Sequence, residues 1–258
     1  MDTYFRKYSI ILVVLCSLSV TSCAVGGKQK PRLSMFIGVD VSGSYVNSGN
    51  YEKSLDFLAH YIYAHLNGLG NLQKPNVLFV SSIGGAKPGE PKAFYPIQVF
   101  QHKSVSDIRK KLNEYFPKDK QNNLTDFNAF FEQIALTIRN KNLVLRPVSV
   151  VMLSDGVPDV KKNGKTDFRS INLHPLERLS RNITLRLLYT DPVTGKKWQT
   201  EIPRRRVKIW TQSADVMTTW NDSTIFIPDS TMTLAKQDRW LDWTKDNVDF
   251  GVRSRRVD

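Results

Sequence analysis

"VSVVMLSDG", residues 148–156, is an apolar run broken only by Ser149 that stops abruptly at a serine, an aspartate and a glycine. A strand with one face in water alternates apolar and polar residues. A run as continuous as this one is covered on both faces, the habit of a central strand in a parallel sheet. Working outward, "LSMFIGV" (33–39) and "NVLFVSS" (76–82) precede it, and "ITLRLLY" (183–189) and "VKIW" (207–210) follow it, as further strands. Between them apolar residues recur at helical spacing: Leu55, Leu58, Ala59, Ile62, Tyr63 and Leu66, then Val105, Ile108, Leu112 and Tyr115, then Phe127, Phe130, Phe131, Ile134 and Ile138. Strands alternating with amphipathic helices predict an α/β fold: a doubly wound, mostly parallel sheet flanked by helices, Rossmann-like, with a C-terminal extension. "GGAKPGEPKAFY" (84–95) reads as a surface excursion, "PIQVFQ" (96–101) as a short antiparallel edge strand, and "TDPVTGKKWQTEIPRRR" (190–206) as a hydrophilic connection. The extension is expected to hold a strand, "TIFIP" (224–228), and a helix around 234–246 whose Trp240 and Trp243 pack it on the domain.

In such a sheet, functional groups collect beyond the carboxyl ends of the strands. Asp155 stands there after the central strand, and Asp40 stands there after the first, in "DVSGS" (40–44). Thr125, in "NNLTDF" (122–127), starts the helix that leads into the central strand and so belongs to the same edge. Asp40, Ser42 and Ser44 alternate along a tight turn, which lets three side-chain oxygens converge while Gly43 relieves the backbone. Hydroxyls and carboxylates are hard ligands that suit Mg²⁺ or Ca²⁺ and do not suit zinc. Each residue also has a plain structural role open to it. Thr125 can be a helix N-cap with Asp126 in the first turn, Asp155-Gly156 a turn, and the two serines loop polars.

"DVSGS" after a buried strand, "TD" opening a helix and "SDG" after a central strand, in that order, resemble the von Willebrand factor type A (VWA) domain with its metal-ion-dependent adhesion site (MIDAS), over roughly residues 33–220. The resemblance implies Asp40, Ser42 and Ser44 as the first loop of a metal site, Thr125 as a second-loop ligand, and Asp155 as the third-loop carboxylate, direct or through water. It also implies a divalent cation, Mg²⁺ or else Mn²⁺ or Ca²⁺, and a partner protein whose acidic group completes the coordination shell. Members often carry glycine just before the threonine; Asn123 and Leu124 stand there in this chain.

At the N-terminus, Arg6 and Lys7 precede "YSIILVVLCSLSV" (8–20), an apolar run too short to span a bilayer comfortably and followed by small residues. That is a signal-peptide pattern. "SVTSCAVGGK" (19–28) resembles the lipobox of bacterial lipoproteins, which implies cleavage before Cys23 and its acylation. The chain thus divides into a signal peptide (1–22), a lipidated tether (23–32), a VWA-like domain (33–220) and an extension packed on it (221–258). Ala24 follows the cysteine, where aspartate commonly marks inner-membrane retention. The expected location is therefore the cell envelope, at the outer membrane facing the periplasm if the host is Gram-negative.

With Cys16 removed and Cys23 acylated, no thiol remains for a disulfide or a thiolate metal site. His60, His65, His102 and His174 show no ligand spacing and are expected at the surface or partly packed. The net charge of +13 is spread over several short basic runs, favouring anionic surfaces in general, and nothing in the chain resembles a nucleic-acid module. The expected function is an envelope lipoprotein, not an enzyme, that binds a partner protein through a divalent cation. Two other readings stay open: a structural envelope protein whose basic face lies on anionic cell-wall polymers or lipid, and a Mg²⁺-dependent hydrolase. Against the last stands the lack of a phosphate-cradling glycine loop with lysine.

Overall fold

The computed structural model describes residues 31–84, 93–121, 124–159, 161–162, 165–228 and 231–249. The expected signal peptide and Cys23 lie outside the described residues. Strands β1 (Leu33–Asp40), β2 (Pro75–Ile83), β3 (Tyr95–Pro96), β4 (Val148–Leu153), β7 (Ile183–Thr190) and β8 (Val207–Ser213) form one sheet in the order β3-β2-β1-β4-β7-β8; β5 (Lys161–Lys162) and β6 (Lys165–Thr166) form a separate small hairpin. All neighbours in the large sheet run parallel except β3, which pairs antiparallel with β2 at the edge. The doubly wound, mostly parallel architecture is the one expected.

β1 lies between β2 and β4, so the chain first builds to one side of β1 and then returns to build on the other. The order reverses there, and the carboxyl ends of β1 and β4 therefore frame the crevice where ligands bind in open α/β sheets. Helices cover both faces: α1 (Gly43–Val46), α2 (Tyr51–Asn67), α3 (Val105–Tyr115), α4 (Phe127–Asn140), α5 (His174–Glu177), α6 (Pro192–Thr200), α7 (Ala214–Met217) and α8 (Asp238–Asn247). The period of two divides the core. Met35, Ile37 and Val39 of β1 join Leu55, Leu58 and Ile62 of α2 in one cluster, while Phe36 joins Phe130, Phe131 and Ile134 of α4 in the other. Gly38 sits where α4 comes closest; a Cβ there would stand 2.6 Å from Ile83 Cγ1 and 2.7 Å from Phe130 Cζ.

Several local expectations are corrected. The edge strand is two residues long and gives way to a 3₁₀ turn at Ile97–Val99. The hydrophilic connection folds as α6, capped by Asp191, whose carboxylate accepts the Val193 and Thr194 N–H groups, with Pro192 at the first helical position. "TIFIP" is not a strand: the Gln237 side chain takes both the N–H and the C=O of Ile227, at 2.9 and 2.6 Å, so no neighbouring strand is needed. His65 is fully buried, with Nδ1 2.9 Å from the Gln73 carbonyl and Nε2 3.0 Å from Asp249 Oδ2. Trp240 packs as expected, its ring against Phe57 and Phe226. Among the described residues, no helix is long and apolar enough to cross a membrane.

Candidate metal centre

β1 delivers Asp40 to the crevice with its carboxyl fully buried. Oδ1 accepts the Ser42 N–H at 2.8 Å, and Oδ2 accepts the Ser154 hydroxyl from the end of the neighbouring strand. The Ser154 oxygen in turn accepts the Gly156 N–H at 2.9 Å, so one hydroxyl ties the first loop to the third. Burial pushes the Asp40 carboxyl up to about 6 against the bonds from Ser154 and Ser42, and the charge of Asp155 pushes the same way. Among the described residues, neither Asp40 nor Asp155 pairs with a lysine, arginine or histidine.

The two serines carry the connection outward. Ser42 is buried and Ser44 exposed, their hydroxyls 3.3 Å apart, and Ser44 Oγ donates to Asp155 Oδ2 at 2.8 Å. The other Asp155 oxygen accepts the Val157 N–H at 3.0 Å. The Asp155 carbonyl accepts Thr190 Oγ at 2.9 Å, from the end of β7. Asp40, Ser42, Ser44 and Asp155 are thus drawn into one hydrogen-bonded cluster across 111 residues of sequence. Thr125 joins it differently. It is buried, and its backbone N–H donates to Asp159 Oδ2 in the Asp155 loop. Among the described residues, its hydroxyl makes no hydrogen bond to the other four. The helix N-cap is Asp126, whose Oδ1 accepts the Ala129 N–H at 2.9 Å, so the capping role falls one residue later than Thr125.

Four supporting residues went unrecognised in the sequence. Ser154 adjoins Asp155 and Thr190 ends the apolar run 183–189, and those strand-end positions were the available signal. Gly84 is the third: with φ +86, a Cβ would stand 2.0 Å from the Leu124 carbonyl oxygen, so only glycine lets the end of β2 approach the Thr125 loop. Trp198 of α6, fully buried, donates its indole N–H to the Gly156 carbonyl at 2.7 Å and stands edge-on to Phe127, bracing the Asp155 and Thr125 loops together.

Among the described residues, no group of three or more His, Cys, Asp or Glu gathers to hold a metal ion. The set assembled here is two carboxylates and two serine hydroxyls, with Thr125 on an adjoining loop. Such donors match a hard divalent cation, and the unbalanced charge at buried Asp40 is the charge that a cation would neutralise. The residues fit the ion.

No family model matches the chain, and no curated protein matches it. Solved structures do. Proximal thread matrix protein 1 from the mussel byssus aligns at 13% identity and a TM-score of 0.44, over 80% of this chain and 46% of that one. Another structure of that protein is described with a zinc-occupied MIDAS motif. Manganese-loaded TRAP protein from Plasmodium vivax aligns at 13% identity and a TM-score of 0.43, over 72% of this chain and 70% of that one. The SpRpn10 VWA domain aligns at 12% identity and a TM-score of 0.42, over 73% of this chain and 94% of that one. The chain thus spans about half the length of the byssus protein it is similar to, and at these identities and scores the likenesses add no weight to a function.

Proposed function

We propose that this protein is a binding module that holds a divalent cation, Mg²⁺ or a similar hard ion, at Asp40, Ser42, Ser44 and Asp155, with Thr125 contributing from the adjoining loop. The cation presents an open position to an acidic group of a partner protein. The observation that carries the reading is the joining of buried, charge-unbalanced Asp40 to Asp155 through the Ser42 N–H and then the Ser42 and Ser44 hydroxyls, at the reversal point of the sheet. The reading assigns no catalytic residue. A donor set rich in hydroxyls leaves the ion much of its charge, which favours an incoming carboxylate. Titration calorimetry of Mg²⁺ and Mn²⁺ into the protein tests it. Binding is expected for the native chain and is expected to be lost in Asp40→Ala; a native chain that takes up neither ion sinks the reading.

The same proposal places the module on the envelope. Cys23 is the acylated residue and residues 24–32 the tether, with the domain at the outer membrane facing the periplasm if the host is Gram-negative. The support is the "SVTSCAVGGK" motif behind its apolar run. Metabolic labelling with palmitate checks it: incorporation is expected in the native chain and not in Cys23→Ser.

A further inference from the structure

β1, β2, β4, β7 and β8 all point the same way, so the residues preceding them gather at the end of the sheet opposite the metal centre. Two connections there are laced together. The loop 141–147 leads from α4 into β4, and residues 178–182 lead into β7. Leu145 N–H donates to the Leu179 carbonyl at 2.8 Å, and Ser180 Oγ donates to the Arg146 carbonyl at 2.7 Å. From this platform Leu145 projects with 68% of its surface exposed, beside Val144 at 44%. Leu145 also has φ +65, a conformation that glycine or asparagine adopts easily and a leucine does not. A bulky apolar side chain is therefore held both in water and in a disfavoured backbone state. Such strain at an exposed position points to a contact that uses it.

The surroundings point to the contact. "RNKNLVLR" (139–146) and "RLSRN" (178–182) hold five basic residues, Arg139, Lys141, Arg146, Arg178 and Arg181, and no acid. Glu177, just before the second stretch, is buried and accepts the Arg205 and Arg206 N–H groups at 2.6 and 2.7 Å, so its charge is turned inward. The acids at this end, Asp242, Asp246 and Asp249, line a cavity with Pro147 and Asn182. Asp249 pairs with Arg186 and His65 and Asp242 with Lys245, and Asp242 and Asp246 are on α8, which packs on the other face of the sheet from α4. Aliphatic tips with cations on the same two connections match a bilayer surface: the tips enter the headgroup boundary while the cations meet anionic lipid. We infer that the 141–147 loop with Arg139 at the end of α4, and 178–182 beside it, is a docking surface for an anionic membrane, on which the domain rests with its metal centre facing away. The inference stands without the cation, and it needs no lipid at Cys23.

Residues 31–258 carry all the described strands and both core clusters as one compact unit, so that unacylated fragment is the probe. Sedimentation is measured with phosphatidylcholine vesicles, with and without phosphatidylglycerol, in the presence of chelator. Binding to the anionic vesicles alone is expected, falling with added salt. Leu145→Gly is the decisive variant, because glycine accepts φ +65 and the fold should hold or gain stability while vesicle affinity drops about tenfold. Lys141→Gln and Arg181→Gln should each cost about fivefold. The inference is overturned by no binding to either vesicle, or by binding that none of the three variants weakens. It is also overturned by self-association of the fragment that Leu145→Gly abolishes, which would assign the surface to a second copy.

Discussion

At Asp40 the fold sets a carboxylate where water cannot solvate it, and the consequence is a stability that depends on pH. Its affinity for the proton rises from the ordinary 3.8 to about 6, so the folded chain binds more protons than the unfolded chain in that window. Stability is then greatest below about 4 and falls as pH climbs through 6, by about 3 kcal/mol in the absence of a cation. Urea denaturation in chelator should show this slope in the native protein and not in Asp40→Asn, which should be the more stable of the two at neutral pH. Added Mn²⁺ should restore the native protein and leave the variant unchanged. A native slope of zero would contradict the buried charge. Gly84 allows a second prediction: Gly84→Ala forces a Cβ onto the Leu124 carbonyl and should cost about 1–3 kcal/mol while loosening the Thr125 loop, read as weaker cation uptake in calorimetry. Asp40, Ser42, Ser44 and Asp155 were legible because each follows a strand whose apolar pattern is local. Gly84 was legible only as punctuation, since its need depends on where Leu124 lies.

Elements divide along the same line. The five long strands and α2, α3 and α4 announce themselves by periodicity, because each buries a continuous apolar face. α6 does not. Its apolar residues are Val193, which is 64% exposed, and Trp198, which is fully buried, so no stripe emerges from "PVTGKKWQT". What holds the helix is its Asp191 cap and the single anchor of Trp198 between Gly156 and Phe127. The cap was readable in "TDPV"; the anchor is a tertiary fact. Trp198→Ala should therefore destabilise by about 3–5 kcal/mol through the cavity it leaves. Trp198→Phe separates packing from bonding. It keeps most of the ring and leaves the buried Gly156 carbonyl unpaired, at about 1–3 kcal/mol. If α6 braces the Asp155 loop, the Phe variant should also weaken cation uptake at a temperature where it is fully folded. Unchanged uptake would reduce α6 to a structural filler. Residues 224–228 show the reverse error: a strand-like composition whose backbone N–H groups go to Asp222, from Thr224, Ile225 and Phe226, and to the Gln237 side chain, from Ile227.

At the scale of the molecule, the layered sheet follows from alternation along the chain, but its closure does not. Arg186 sits inside the buried strand β7, where sequence pattern has no place for a charge. Its Nε donates to the Val248 carbonyl at 2.7 Å, Nη1 to Ser149 Oγ at 2.9 Å, and Nη2 lies 3.4 Å from Asp249 Oδ1. Asp249 also meets Tyr61 and His65 of α2, so one carboxylate pins the chain following α8 to the first long helix and to the sheet. Burial pushes the Asp249 carboxyl up, but His65 and Arg186, with the bond from Tyr61, outweigh it and hold it at about 2. The sign is opposite to that of Asp40. This contribution is fully present above the unfolded value of 3.8 and is lost as pH falls toward 2, amounting to about 2 kcal/mol. Asp249→Asn should cost about 3–5 kcal/mol at neutral pH, because it strands the Arg186 charge in the interior. The deficit against the native chain, measured by urea denaturation, should then shrink as pH drops below 4 and the native carboxyl takes up its proton. A deficit of constant size from pH 7 to pH 2 would show that Asp249 acts by shape alone, and that closure does not depend on its charge.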